Sequence, residues 1–470
     1  MKYVSTRGQA PILSFEDVLL AGLARDGGLY VPETWPQMSH DDIRALTGLP
    51  YHEVAFRVMW PFIDGCLSED DFGELLGESY RGFDHTAVAP LVQLGPNTWL
   101  LELFHGPTLS FKDYALQMVG RLFDVVLKRR GDNNKITIVG ATSGDTGSAA
   151  IEACRDRDAI EVFMLHPKDR VSDVQRRQMT TVLSPNIHNI AIEGTFDDCQ
   201  DLVKQLFNDE SFRDHANLSA VNSINWARIM AQISYYFYAA VCIGAPERHL
   251  SFAVPTGNFG NIFAGYAARE MGLPIDKLII GSNQNDILTR YIQTGEMKTE
   301  AVHSTLSPSM DIQVSSNFER LLFEYYDRDG AAIAQVMDQF RKEGSVNFGK
   351  DRWQRMTKLF AAHALDDEQT KAIIRTTYNN TGELLDPHTA VGFAAGIANH
   401  QHSTSALVTI ATAHPSKFPD AVKDATGVHP DLPPSLSGLH EREERFSVMP
   451  NNLDTLRDHM KVEISKRANA

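Results

Sequence analysis

Cysteine is scarce in this 470-residue sequence. The four present, Cys66, Cys154, Cys199 and Cys242, are far apart and form no C-x-x-C pair. That excludes a zinc ribbon and a disulfide scaffold, and reduced intracellular thiols are the expectation. Excess positive charge is missing too: 44 Lys and Arg against 60 Asp and Glu leave a net charge of −16. A nucleic-acid binder needs a basic face, so any anionic ligand must be held here by a few local donors. Long apolar runs are absent. The most apolar helical stretch, IMAQISYYFYAAVCIGA, is short of a membrane span and is interrupted by Gln232 and Ser234. The first residues, MKYVSTRGQAPILSFED, contain no apolar signal-peptide core. Neither a fixed-period repeat nor a low-complexity tract is evident. These absences point to a cytoplasmic protein with no membrane or nucleic-acid partner, no metal site and no obligatory protein partner in evidence.

Composition is that of an ordinary globular chain, 43% hydrophobic and 22% charged, which excludes general disorder. Residues 1–95 form a first region whose second half carries charged helical patterns such as SEDDFGELLGESYRGF. From 96 to 420 one arrangement recurs: a β-branched run, a loop, an amphipathic helix. KITIVG leads into ATSGDTG, LSFAVP into TGNFGN, and ALVTIA into TAHPSKF. Strands alternating with helices predict an α/β fold of parallel-sheet subdomains with helices on both faces. Ligands bind beyond the carboxyl ends of such strands, where all three loops fall. Residues 285 to about 400 read as a helical insertion, and 421–470 as a tail or closing helix behind the Pro-rich turn HPDLPPSLSG.

In HGPTLSFKDYALQMVGRLFDVVLKRRG, Leu116, Val119, Phe123 and Leu127 recur at helical spacing, and Ser110 and Asp113 fit an S-x-x-D cap. Lys112 therefore falls in a first helical turn, where the macrodipole does not favour a cation. By itself such a lysine reads as a solvated one. TGNFGN changes the balance. Gly257 and Gly260 let backbone approach a ligand closely, and the helix that follows turns several N–H groups one way, as a phosphate cradle requires. The loop has neither the G-K-[ST] ending of a nucleotide P-loop nor the G-x-G-x-x-G of dinucleotide binders. ATSGDTG adds the hydroxyls of Thr142, Ser143 and Thr146, suited to gripping a carboxylate. In NSINWARI, Asn225 can cap the next helix and Arg228 stands in its first turn, a site for a phosphate or carboxylate. Each loop separately is also compatible with a plain strand–helix turn.

A lysine, a phosphate cradle and a carboxylate loop together suggest a lysine Schiff base with pyridoxal 5'-phosphate (PLP) and an amino-acid substrate. The segments DGGLYVPE, HGPTLSFKD, GATSGDTGSAA, NSINWARI, PTGNFGN, PSMDIQVSSNFERLLFE, DPHTAVG and TAHPSKF span about residues 1–420. In them the chain resembles the bacterial and fungal subgroup of the threonine synthases, within the fold-type II PLP-dependent enzymes. The resemblance implies an N-terminal domain over 1–95, a catalytic domain over 96–420 and a C-terminal piece over 421–470. It implies that Lys112 carries PLP, that Gly257, Asn258, Phe259, Gly260 and Asn261 surround the cofactor phosphate, and that Thr412 faces the pyridine nitrogen. Ser143, Gly144, Asp145 and Thr146 would receive the substrate carboxylate, and Asn222, Ser223 and Arg228 would lie near the substrate phosphate. The implied reaction takes O-phospho-L-homoserine and water to L-threonine and phosphate.

Asp145 departs from the asparagine usual across the wider family. An ionised carboxylate would repel a carboxylate ligand, so Asp145 either turns away to orient the loop or is protonated. His105, His388 and His414 stand beside motif residues, as hydrogen-bonding groups or as proton carriers. Two other readings share the same residues: a PLP lyase, such as a threonine dehydratase or a phospholyase yielding 2-oxobutanoate, and a non-catalytic phosphoester-binding protein.

Overall fold

A computed structural model of the chain describes every residue except 64, 132–134, 220–222, 402 and 469–470. It divides into two compact units. The first comprises Met1–Leu19, Leu23–Ala115 and Ser223–Asp431, the second Leu20–Gly22, Leu116–Asn222 and Leu432–Ala470.

The first unit is built on a six-stranded sheet in the order Phe360–Ala364, Ile275–Ser282, Leu250–Pro255, Ala406–Ala411, Thr98–Glu102, Leu91–Gly95. Neighbours run parallel except in the last pair, a hairpin at the edge. The central strands LSFAVP and ALVTIA are buried along their whole length, as strands of a covered parallel sheet must be. Helices Gly260–Glu270 and Pro387–Asn399 pack on this sheet. Helix Trp226–Ile243 is buried from Trp226 to Val241 and stops at Gly244 in the left-handed conformation. It accounts for the most apolar stretch of the sequence as a core helix. Among the described residues no helix is long and apolar enough to cross a membrane. The N-terminal residues add a three-stranded antiparallel sheet, Leu13–Ser14, Lys2–Ser5 and Tyr30–Pro32. They also add helices Tyr51–Met59 and Glu69–Tyr80, the latter capped by Ser68 Oγ accepting from Asp71 N.

The stretch read as a helical insertion does contain helices, among them Phe318–Tyr325, Gly330–Glu343 and Asp367–Thr381. It also supplies strand Phe360–Ala364, which extends the sheet beside Ile275–Ser282. Only Phe360 of that strand is fully buried, so FAAHA gives little periodic signal.

The second unit holds a five-stranded, wholly parallel sheet ordered Ser447–Pro450, Ile187–Glu193, Ile160–Pro167, Ile136–Ala141, Leu218–Ser219. Its core gathers Phe163, Leu165, Ile190 and Ile192 with Leu202 and Leu206 of helix Phe196–Asn208. Leu456 and Met460 of the last helix, Leu453–Ala468, lie in the same core. The C-terminal segment thus completes a sheet edge and a core. Glu444 anchors it, accepting from Arg176 Nε at 2.9 Å and Thr180 Oγ1 at 2.7 Å. The Arg176 hydrogen bond, with help from Thr180 and Arg177, holds the Glu444 carboxyl down to about 2.

Candidate active site

Lys112 is the first residue of helix Lys112–Arg130 and is 7% exposed. The segment before it lies antiparallel to the chain leaving strand Ala406–Ala411. Phe111 N donates to Thr412 O at 2.9 Å, Ser110 bridges Ala413, and His414 N donates to Leu109 O at 3.0 Å. Backbone bonds therefore fix Lys112 and Thr412 relative to each other. The Asp113 carboxylate accepts from Thr108 N at 2.8 Å and Thr108 Oγ1 at 2.6 Å, so it shapes the turn before Lys112 where a cap on Ser110 was expected. A Cβ on Gly106 would stand 2.5 Å from Asp113 Cβ, so the turn closes tightly on that carboxylate. Lys112 thus places a buried amine at a helix start, the kind of group that can carry a carbonyl cofactor. Thr412 N donates to Thr389 Oγ1 at 3.1 Å.

TGNFGN leaves strand Leu250–Pro255 and opens helix Gly260–Glu270. Phe259 is the N-cap, at φ 63° and ψ 0°, a left-handed conformation uncommon for a bulky residue. A left-handed residue between right-handed ones turns successive N–H groups to one side and makes an anion-binding concavity. The first N–H groups of the helix have no intrahelical acceptor and add to it. The loop's carbonyls are tied away from that side. Ser315 Oγ donates to Gly257 O at 2.7 Å, while Asn317 N and Nδ2 donate to Asn258 O at 3.1 and 3.0 Å. Gly257 is required here, because a Cβ would stand 2.5 Å from Ser309 O. The hydroxyls of Tyr235 and Tyr236 each donate to Asn261 Oδ1 at 2.8 Å, which turns Asn261 Nδ2 into a buried donor with no partner among the described residues. An unmet buried donor costs about 1–3 kcal/mol, which an anionic acceptor would recover.

Arg228 stands in the first turn of helix Trp226–Ile243 and is 3% exposed. Asn225 caps that helix, its Oδ1 accepting from Ala227 N at 3.0 Å. Burial pushes the Arg228 guanidinium down to about 10, which leaves it charged at neutral pH. A buried cation at the positive end of a helix makes a strong anion site. Tyr235, on the same helix, binds Asn261, and a Cβ on Gly260 would come within 3.3 Å of Ile229 Cδ1. The first unit thus gathers Lys112, the loop Gly257–Asn261, Thr412 and Arg228. Ser223 precedes this helix; Asn222 lies outside the described residues.

The second unit carries the other loop. Thr142 Oγ1 accepts from Gly144 N at 3.0 Å and Gly147 N at 2.8 Å, so its hydroxyl organises the turn from inside. Gly144 holds φ 139° as N-cap of helix Asp145–Cys154. Ser143 and Thr146 are half-buried. Asp145 is buried and its Oδ1 accepts from Gln175 Nε2 at 2.8 Å; Gln175 Oε1 in turn accepts from Ser172 Oγ at 3.0 Å. Of the two roles open to Asp145, this geometry favours orienting the loop.

Family models match three successive stretches: threonine synthase N terminus over residues 2–80, pyridoxal-phosphate dependent enzyme over 84–343, and threonine synthase C-terminal over 389–460. The threonine synthase of Pseudomonas aeruginosa is 57% identical over 454 residues, covering 96% of each chain. The chain belongs to the threonine synthase family. Among solved structures, PLP-bound threonine synthase from Brucella melitensis aligns with a TM-score of 0.96 at 52% identity, covering 98% of this chain and 99% of that one. Yeast threonine synthase aligns at 0.93 and 38% identity, covering 99% of each. The fold is that of the fold-type II enzymes, and the cofactor is PLP.

The residues present fit that cofactor. A lysine-bound, phosphorylated cofactor calls for a buried amine and an anion-binding concavity, and the first unit has a buried lysine and such a concavity. Asn261 Nδ2 supplies an unsatisfied donor at the cradle, and Ser110 Oγ, two residues before Lys112, is likewise buried with no partner among the described residues. Ser309, Ser315, Asn317 and Gln175 were not singled out from the sequence. The first three fall inside the quoted motif PSMDIQVSSNFERLLFE, but Ser315 and Asn317 donate to the carbonyls of Gly257 and Asn258, 58 and 59 residues away, and the Ser309 carbonyl lies against Gly257.

All three histidines hold structural hydrogen bonds. His388 Nδ1 donates to Asp386 Oδ1 at 2.9 Å while its Nε2 accepts from Ser309 N at 3.3 Å, which ties it to the cradle wall. His105 Nε2 pairs with Glu102 Oε2 at 2.7 Å. His414 accepts from Ser416 N at 3.2 Å and packs edge-on against Phe104. Burial, then His105 and Lys417, push its imidazole from the ordinary 6.5 down to about 4. Unfolded chains therefore take up this proton below pH 6.5 while folded ones wait until about pH 4. Stability should fall across that window by up to about 3 kcal/mol through His414 and level off below it. Urea midpoints measured across the window should decline less steeply in His414→Gln than in the parent. Equal slopes would remove His414 from the account.

Proposed function

We propose that this protein is a PLP-dependent lyase acting on a phosphate ester, converting O-phospho-L-homoserine and water to L-threonine and phosphate. The observation that carries this reading is the joining of Lys112 to Thr412 by backbone bonds in the unit that also holds the anion cradle Gly257–Asn261. Bound PLP supplies an electron sink for negative charge developing on the substrate. Lys112 Nζ carries the cofactor, takes the Cα proton of the substrate and returns it at the end of the cycle. N–H groups of the Phe259 turn and Asn261 Nδ2 hold the cofactor phosphate. Thr412 would offer the pyridine nitrogen a neutral hydroxyl in place of a full charge. Arg228, with Ser223, holds the substrate phosphate and stabilises it as it leaves. The turn Ser143–Thr146 offers hydroxyl and helix-start N–H donors to a carboxylate, and Asp145, occupied by Gln175, does not oppose it. None of the four cysteines is paired in a disulfide, in keeping with work in the cytoplasm.

The test is to incubate the holoenzyme with O-phospho-L-homoserine and identify the products by mass spectrometry. Threonine with stoichiometric phosphate is expected. 2-Oxobutanoate with ammonia would make the protein a phospholyase, and no product from folded, PLP-loaded protein would overturn the substrate.

A further inference from the structure

The motif PSMDIQVSSNFERLLFE supplies none of the groups given a chemical role above, yet it buries two adjacent charged residues, Glu319 and Arg320. Glu319 is matched by the two residues that follow the N-terminal strand. It accepts from Arg7 Nε at 3.1 Å, Arg7 Nη2 at 3.0 Å and Thr6 Oγ1 at 2.6 Å. Arg320 is different. It is 0% exposed, and among the described residues its hydrogen bonds all go to neutral oxygens. A guanidinium buried this way is costly unless its geometry does something specific.

Its three arms reach three segments. Nε donates to Tyr30 O at 3.0 Å, in the N-terminal sheet. Nη2 donates to Ile224 O at 2.6 Å, in the segment that leads from Ser223 to Arg228. Nη1 donates to Asn317 Oδ1, which orients that amide so that its Nδ2 donates to Asn258 O at 3.0 Å. That last bond draws the Asn258 carbonyl away from the concavity next to left-handed Phe259. We propose that Arg320 is a positioning residue that sets the cofactor-phosphate loop Gly257–Asn261 and the substrate-phosphate segment Ser223–Arg228 in one register. One arm acts through Asn317 and Asn258, the other through Ile224. The proposal rests on reading both segments as phosphate-binding, as above.

A planar fork is needed to reach three acceptors at once, so lysine is no substitute. Without the fork, Asn317 loses its orientation, the Asn258 carbonyl keeps only the bond from Asn317 N, and the N–H groups around Phe259 are held less firmly. Release of Ile224 O loosens the segment ahead of Arg228. An arginine that served packing alone would affect melting temperature and leave both affinities of the folded protein unchanged.

Arg320→Met, Arg320→Lys and Asn317→Ala are to be compared with the parent in two measurements: PLP titration of the apoenzyme, with pyridoxal as the comparator lacking a phosphate, and KM for O-phospho-L-homoserine at saturating PLP. Both Arg320 variants should weaken PLP about tenfold or more and raise KM by a similar factor, the loss of one charge-assisted hydrogen bond at each segment. Pyridoxal affinity should change little. Asn317→Ala should weaken PLP and leave KM within about twofold, because the Ile224 arm is intact. A folded Arg320→Met that binds PLP and substrate like the parent, with only a lower melting temperature, overturns the proposal. Should that variant not fold, unchanged PLP affinity in Asn317→Ala overturns it equally. The PLP titration is read without turnover, so it stands apart from the reaction assigned. A parent that bound pyridoxal as tightly as PLP would instead overturn the reading of the loop itself.

Discussion

Lys112→Ala should lose turnover by at least about ten-thousandfold, since in the reaction proposed above one side chain both carries the cofactor and moves the Cα proton. The covalent attachment disappears with the amine, and with it the visible absorbance of the lysine-bound cofactor. The fold should survive. Position 112 is the first residue of its helix, where alanine is well tolerated, and the backbone bonds from Phe111 to Thr412 and from His414 to Leu109 do not involve the lysine side chain. The phosphate loop is untouched as well, so the variant should still take up PLP, reversibly and with an affinity set by Gly257–Asn261. Three measurements separate these effects: steady-state turnover, the absorbance spectrum with and without borohydride, and PLP affinity by dialysis. Borohydride fixes the cofactor to the parent and should fix none to the variant. Turnover within tenfold of the parent, or cofactor fixed by borohydride at another residue, would take Lys112 out of the mechanism.

The features legible in the sequence are those made by consecutive residues. A parallel strand followed by a loop and a helix writes itself as a β-branched run, small polar residues and a 3.6-residue period, so ATSGDTG and TGNFGN could be placed at strand ends without coordinates. Lys112 could be placed at a helix start for the same reason. What the sequence does not display are partners joined by the fold. Asn317 and Asn258 are 59 residues apart, Arg320 and Tyr30 are 290 apart, and Asp145 and Gln175 are 30 apart. The closest contact of Gly257 is to a backbone carbonyl, that of Ser309, which any residue type could offer. Strand Ser447–Pro450 is short and only Met449 of it is buried, so its sheet pairing with Ile187–Glu193 leaves little pattern, and the region reads as a tail or closing helix. Strand Phe360–Ala364 was hidden in the same way. Buried polar groups paired across such distances are where the sequence says least and where the arrangement of the site is decided.

Arg228→Leu should raise KM for O-phospho-L-homoserine by about thirtyfold or more, the cost of removing one partner of a buried, charge-assisted contact to phosphate. Arg228 sits in the first turn of a helix buried from Trp226 to Val241, where its guanidinium is shielded from solvent at the positive end of the helix dipole, a place suited to an anionic ligand. Leucine keeps much of the volume and leaves no stranded charge. PLP affinity should stay within about twofold, because Asn261 and the Phe259 turn do not depend on the guanidinium. The result separates Arg228 from Arg320, whose loss should weaken cofactor and substrate together. A second measurement needs no catalysis. Inorganic phosphate should raise the melting temperature of the parent as a ligand of the folded state, and the rise should shrink or vanish in Arg228→Leu. Arg228→Lys should fall between, keeping the charge and losing the two-pronged contact. Parent-like KM together with a parent-like phosphate response in Arg228→Leu would show that the arginine serves packing alone, and the substrate phosphate would then have to be held by other donors of the Ser223 segment.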